Sequence, residues 1–343
     1  MKYKLLGKSG LRVSELCLGT MTFGDDWGWG AAKEESLAIY NAFLEAGGNF
    51  IDTANVYTNG TSEIFLGEFM KEHRDRIVLA TKYTNSSPTD DPNASGNQRK
   101  NMVRAVEASL KRLQTDYIDL LWLHIWDQIT PVEEVMRAFD DLISQGKVLY
   151  IGISDAPAWW VAKANTLAQL RGWTQFVGLQ IEYSLIERTP ERELLPMAKE
   201  EGLTITAWSP LAGGILTGKY LGNSEQEGRY SDPNMQQFMG GGDRQEVIAQ
   251  EVKAIAEEIG SSAAQVALAW LRFRSVPVIP IIGSRKISQL QDNIKSLDIV
   301  LTAEQLQRLD QVSKIELGFP YDFYNKDMVK MFTYGGLRDS LDI

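Results

Sequence analysis

A closed (β/α)8 barrel, the α/β architecture of the TIM type, is the fold this sequence predicts, on three observations. Eight short apolar runs recur along the chain, and most are followed by a longer segment whose apolar residues fall at helical spacing. Eight such repeats in about 300 residues match the size of one barrel. No GxGxxG fingerprint follows any of the runs, which sets aside the doubly wound open sheet that alternates in the same way. After the first run the chain reads Leu18-Gly19-Thr20-Met21-Thr22-Phe23-Gly24, without that spacing.

Taken in order, residues 3–6 and 11–13 flank a Gly-containing turn and read as a small hairpin able to plug one end of the barrel. The strands are expected at 15–18, 50–52, 77–82, 118–124, 150–154, 177–181, 204–208 and 278–282. Their nearly continuous apolar character is what a parallel sheet covered on both faces requires. Helical stripes run over 33–46 (Leu37, Tyr40, Phe43, Leu44), 101–113 (Met102, Val106, Ser109, Leu110, Leu113), 132–143, 158–170, 191–200 and 243–259. The first stops at Gly47-Gly48. Residues 83–98, 209–242 and the tail 318–343, which follows the last regular helix, exceed what a connection needs. The first two follow strands and therefore belong to the C-terminal face, where barrel sites are built. No linker divides the chain, so residues 1–343 are read as one domain.

The 343 residues are 44% hydrophobic and 23% charged, an ordinary globular balance. Thirty-five basic against 45 acidic residues give a net charge of −10, which argues against nucleic acid or an anionic membrane as a bulk partner. No run approaches the roughly 18 apolar residues of a membrane span, and the opening MKYKLLGKSG lacks a secretory apolar core. A cytoplasmic protein is expected. The single cysteine, Cys17, excludes an intrachain disulfide, and with only two histidines no metal site is expected.

Chemistry is legible at the strand ends. Asp52 closes the second strand, Lys82 the third and His124 the fourth, and Tyr57 follows Asp52 by five residues. Successive strand ends converge on one mouth, so the four can meet. Charges at the ends of apolar strands are costly unless paired, and Asp52 and Lys82 can pair with each other. A lysine beside a phenol favours the phenolate, which predicts a Tyr57 below its ordinary pKa of about 10 and a better proton relay. His73 lies in the charged connection 71–76 and reads as solvated surface.

These residues sit in motifs that resemble the aldo-keto reductases. The matching stretches are Phe50-Ile51-Asp52-Thr53-Ala54-Asn55-Val56-Tyr57, Ala80-Thr81-Lys82, Tyr117-Ile118-Asp119-Leu120-Leu121-Trp122-Leu123-His124 and Gly152-Ile153-Ser154. They continue with Leu179-Gln180-Ile181-Glu182-Tyr183, Trp208-Ser209-Pro210-Leu211 and Ile282-Gly283-Ser284-Arg285-Lys286. Ser154-Asp155-Ala156-Pro157 and the stretch 214–220 are similar to the bacterial aryl-alcohol-dehydrogenase-like branch. The resemblance implies reversible, NADP(H)-dependent reduction of aldehydes and ketones. Tyr57 would be the proton donor, Lys82 held by Asp52 would tune it, and His124 would orient the carbonyl.

The same resemblance assigns the nicotinamide to Ser154, Asp155 (where the family more usually carries asparagine) and Gln180, with Trp208 stacking on its ring. Ser209, Pro210, Leu211, Gly213 and Lys219 would cover the pyrophosphate, and Thr20 and Met21 join the cofactor set. Gly283, Ser284, Arg285, Gln289 and Asn293 would take the adenosine end. There Ser284 is placed to cap the next helix, and Arg285 and Lys286 add positive charge suited to a 2′-phosphate. Trp27, Trp29, Tyr83 and Ile125-Trp126 would wall a pocket for a small aldehyde or ketone with an apolar or aromatic body.

Other classes stay open. A Schiff-base aldolase would use Lys82 as nucleophile but has no need of Trp208 or of 283–286. A glycosidase would need two facing carboxylates, with Glu182 and Asp52 as candidates, but Asp52 has a lysine partner. A cofactor-binding redox sensor resembling the potassium-channel β-subunits shares both fold and cofactor. Nothing in the sequence fixes the oligomeric state.

Overall fold

In a computed structural model, described for residues 1–87, 89–221 and 242–342, eight parallel strands close into a barrel. A hairpin of β1 (Tyr3–Leu5) and β2 (Arg12–Ser14) precedes them. The barrel strands are β3 (Cys17–Gly19), β4 (Phe50–Asp52), β5 (Val78–Tyr83), β6 (Ile118–Leu123), β7 (Val148–Ser154), β8 (Gly178–Glu182), β9 (Thr204–Trp208) and β10 (Val278–Gly283). They pair in chain order, and β10 closes the ring between β9 and β3.

The surrounding helices are α1 (Lys33–Glu45), α2 (Thr61–Phe69), α3 (Arg99–Leu113), α4 (Val132–Ser144), α5 (Ala158–Arg171) and α6 (Leu194–Glu201). They continue with α7 (Asp243–Ile259), α8 (Ala263–Arg272), α9 (Ile287–Ile294) and α10 (Ala303–Val312). α4 illustrates how sequence becomes packing. Val132, Val135, Met136, Phe139 and Leu142 recur on one buried face, while Glu133 and Glu134 sit in the first turn, where the helix dipole favours them. That face packs on β6 and β7 within the main core.

Every residue of β5 and of β6 is buried, as the apolar runs require. Side chains of these strands alternate between the barrel interior and the helical layer. Trp122 points inward and closes the floor: a Cβ on Gly152 would lie 2.2 Å from its ring and one on Gly178 2.8 Å away. Below it Leu6 and Val13 join Phe50, Val78 and Trp122 in one cluster, so the hairpin does plug this end. The Gly7 amide is tied to Thr204 Oγ1 at 2.7 Å.

Several expectations need correction. The tail carries two further short helices, α11 (Tyr321–Tyr324) and α12 (Asp327–Tyr334), neither with a buried residue, so it does not simply follow the last regular helix. His73 is not merely solvated, because its Nε2 lies 2.6 Å from the Tyr40 hydroxyl. The connection expected over 209–242 lies in large part outside the described residues. Among the described residues no helix is long and apolar enough to cross a membrane.

The floor packing is testable. Gly152→Ala forces a methyl into the Trp122 ring and is expected to cost about 1–3 kcal/mol, the range for overpacked cores. Urea denaturation would show it as a lowered midpoint, and an unchanged midpoint would contradict this packing.

Candidate active site

Asp52, Tyr57, Lys82 and His124 meet at the C-terminal mouth. Lys82 belongs to β5, whose inward positions carry it into the barrel, where it is 1% exposed. Its ammonium pairs with Asp52 Oδ1, and it donates to the Thr53 carbonyl at 2.8 Å and to the Tyr57 hydroxyl at 3.2 Å. Asp52 uses its second oxygen to accept from Gln180 Nε2 at 3.0 Å. Tyr57 lies just before a tight turn in which Thr58, Asn59 and Gly60 all have positive φ, and its ring meets that of His124 edge-on at 6.1 Å.

The electrostatics correct one expectation. Burial pushes the Tyr57 phenol above its ordinary value, and Lys82 does not overcome it because Asp52 opposes the lysine's charge. Tyr57 is therefore held protonated near neutral pH, as a proton donor must be. Burial works against the Lys82 ammonium as well, but Asp52 and Tyr57 together outweigh it and raise its pKa. Burial, helped by the nearby Lys82 charge, pushes His124 down to about 3. The imidazole is neutral, and the Asn85 side-chain amide 3.3 Å from Nδ1 can only donate to it. That leaves the proton on Nε2, free to donate. Asn85 was not singled out in the sequence: it sits in a polar loop without a motif, and only the fold brings it to His124.

A cavity of about 810 Å³ opens from this cluster. It runs past Ser154, Asp155, Gln180 and Trp208 to Ser209, Pro210, Leu211, Gly213 and Lys219, and then to Gly283, Ser284, Arg285, Gln289 and Asn293. Met21, Trp29 and Ile125 line it too, as do Thr22 and Gly214, which the sequence pattern does not single out. Trp208 donates its indole N–H to Asp155 Oδ1 at 3.1 Å. Burial raises Asp155 to about 6, with the Trp208 bond and Lys82 pulling the other way.

Some expected residues lie elsewhere. Tyr83 follows the inward Lys82 and so faces outward, where it is fully buried against Phe139 with its hydroxyl donating to the Asn97 carbonyl at 3.3 Å; it is not among the residues that line this cavity. Trp27 packs at a tilt against Trp29, ring centroids 5.6 Å apart, and Trp126 packs edge-on against Trp159; neither is among the residues that line this cavity. Thr20 is buried beneath the rim, its hydroxyl donating to the Asp52 carbonyl at 3.0 Å. Ser284 does not cap α9, which starts at Ile287; the Ile287 amide donates instead to Glu35 Oε1 at 2.7 Å. The Ser284 hydroxyl is buried with no partner among the described residues.

Residues 15–314 match the family described as the aldo/keto reductase family. The chain belongs to that family. Norsolorinic acid reductase of Aspergillus flavus is 39% identical over 329 residues, covering 93% of this chain and 82% of that protein. The aryl-alcohol dehydrogenase [NADP(+)] of Phanerodontia chrysosporium is 40% identical over 333 residues, 91% of this chain and 86% of that protein. The putative aryl-alcohol dehydrogenase AAD14 of Saccharomyces cerevisiae is 38% identical over 342 residues, 95% of this chain and 90% of that protein. These relatives of the aldo/keto reductase are fungal, so the bacterial part of the expected branch finds no support in them.

Removing Asp52 from this family member strands a buried ammonium. Asp52→Ala is expected to destabilise the fold by about 3–5 kcal/mol, and Asp52→Ala with Lys82→Met to recover much of that loss. Equilibrium denaturation of the single and double variants measures both, and additive losses would mean the pair is not coupled.

Proposed function

We propose that this chain is an NADP(H)-dependent reductase of aldehydes and ketones, of the aryl-alcohol-dehydrogenase-like kind, working reversibly. The observation that carries the reading is the buried Asp52–Lys82 pair presenting the Tyr57 hydroxyl to the same cavity that Trp208 and Arg285 line. Ser284 supports the cofactor's fit: a buried hydroxyl without a partner among the described residues, beside Arg285 and ahead of α9, suits an anionic group such as the 2′-phosphate. Ser154, Asp155 and Gln180 would hold the carboxamide end, Trp208 would lie against the ring, and 209–213 with Lys219 would cover the pyrophosphate.

When bound, the reduced cofactor supplies hydride to the carbonyl carbon. Tyr57 then delivers its phenolic proton to the carbonyl oxygen, and Lys82 stabilises the phenolate left behind until a proton returns from solvent. The neutral His124 donates from Nε2 to the same oxygen and fixes which face of the carbonyl is presented. Donors placed in advance where charge develops lower the barrier without reorganising. Trp29, Ile125 and Met21 near this end suit an apolar or aromatic body, in keeping with the aryl-alcohol names of the relatives.

The decisive assay follows loss of NADPH absorbance with a panel of aromatic and aliphatic aldehydes. Turnover supports the reading; tight cofactor binding with negligible turnover would make the chain a redox sensor. Tyr57→Phe is expected to lower carbonyl reduction roughly 10²- to 10⁴-fold while NADPH affinity stays near wild type, and near-normal turnover would remove Tyr57 from the acid role. Arg285→Ala is expected to weaken NADPH roughly tenfold or more with little effect on NADH, as loss of one charge-assisted contact implies. Equal losses for the two would place the 2′-phosphate elsewhere.

A further inference from the structure

We infer that Asp155 makes the site discriminate between the two redox states of its cofactor, holding the cationic oxidised nicotinamide more tightly than an amide at the same position would. The inference rests on the proposed function.

Asp155 is rigidly placed. It follows Ser154 at the end of β7 with φ 45, in the left-handed region. Its amide donates to the Gln180 carbonyl at 3.2 Å, and its own carbonyl accepts from the Trp126 amide at 3.4 Å. The Trp208 N–H then takes one carboxylate oxygen. Since β7 and β9 flank β8, this bond crosses the end of β8, where Glu182 stands in register with Trp208. Asp155 lines the cavity together with Ser154, Gln180 and Trp208. An asparagine there would offer a neutral acceptor and donor, whereas an ionised aspartate offers acceptors and a full charge.

The charges around it do not neutralise that carboxylate. Lys82 is already paired with Asp52, His124 is neutral and Tyr57 is protonated. Glu182 adds a second acid, raised to about 7 by burial and by repulsion from Glu187 and Asp155. Lys219 and Arg285 belong to the pyrophosphate and adenosine parts of the cavity. A nicotinamide ring against this wall is neutral when reduced and carries one positive charge when oxidised, so only the oxidised form gains from the carboxylates. Both acids ionise as pH rises, and the preference for the oxidised form must rise with them. By reciprocity, bound NADP+ pulls both acids toward ionisation.

The test measures dissociation constants of NADP+ and NADPH by calorimetry on the full chain, for wild type, Asp155→Asn and Glu182→Gln. In wild type the preference for NADP+ over NADPH is expected to grow about three- to tenfold from about pH 5 to about pH 8, the span over which the two acids titrate. Asp155→Asn should lower that preference at the higher pH by about threefold or more and flatten its rise. A purely structural role would weaken both forms alike and leave the ratio untouched. The inference is overturned if Asp155→Asn binds both forms with the wild-type ratio at the higher pH. Should that variant not fold, the wild-type pH series is read in its place: a preference for NADP+ that grows with pH supports the inference and a flat one overturns it. Wild-type protein that binds neither form would refute the proposed function instead.

Discussion

An ammonium group enclosed by a barrel loses hydration worth on the order of several kcal/mol, and Lys82 offsets this with partners gathered from around the β4 end. Asp52 comes from the strand itself, the Thr53 carbonyl from the next residue, and the Tyr57 hydroxyl from the turn beyond. Gln180, four strands round the ring from β4, then ties the other Asp52 oxygen to β8. The registry of the barrel and the geometry of the site are thus one problem. If the strands slipped by one residue, Lys82 would face the helices and the cluster would not exist.

Much of this was legible in the sequence because a parallel barrel writes its strands as apolar runs and its site at their ends. The observed strands begin or end within about two residues of the apolar runs, and Asp52, Lys82 and His124 were readable as polar closures of such runs. What escaped has physical causes. α2 carries Gly67, a residue that discourages a helical reading, yet a Cβ there would lie 2.5 Å from the Arg112 carbonyl, so the glycine serves close helix packing. α8 is buried nearly all round, so it shows no amphipathic stripe to find. Tyr83 was misplaced because proximity in sequence to Lys82 says nothing of the alternate face.

The electrostatic reading was right about the partners and wrong about the balance. A lysine beside a tyrosine does favour phenolate, but the same enclosure that makes the lysine effective penalises the phenolate, and Asp52 counteracts part of the attraction. Sequence spacing reports which groups can meet; it does not report how much water they lose in meeting. The same holds for Asp155, whose unusual identity was visible at once but whose fixed orientation under Trp208 was not.

Trp122, flanked by Gly152 and Gly178 and underpinned by the hairpin, seals one end of the cylinder, while the cavity of the candidate site opens at the other. Rigidity and reactivity are thereby lodged in different parts of one chain. Variation in the rim loops can retune which molecules are accepted without loosening the base, and reinforcement of the base leaves the rim free to change. Such a partition gives a lineage room to diverge in substrate while keeping its scaffold.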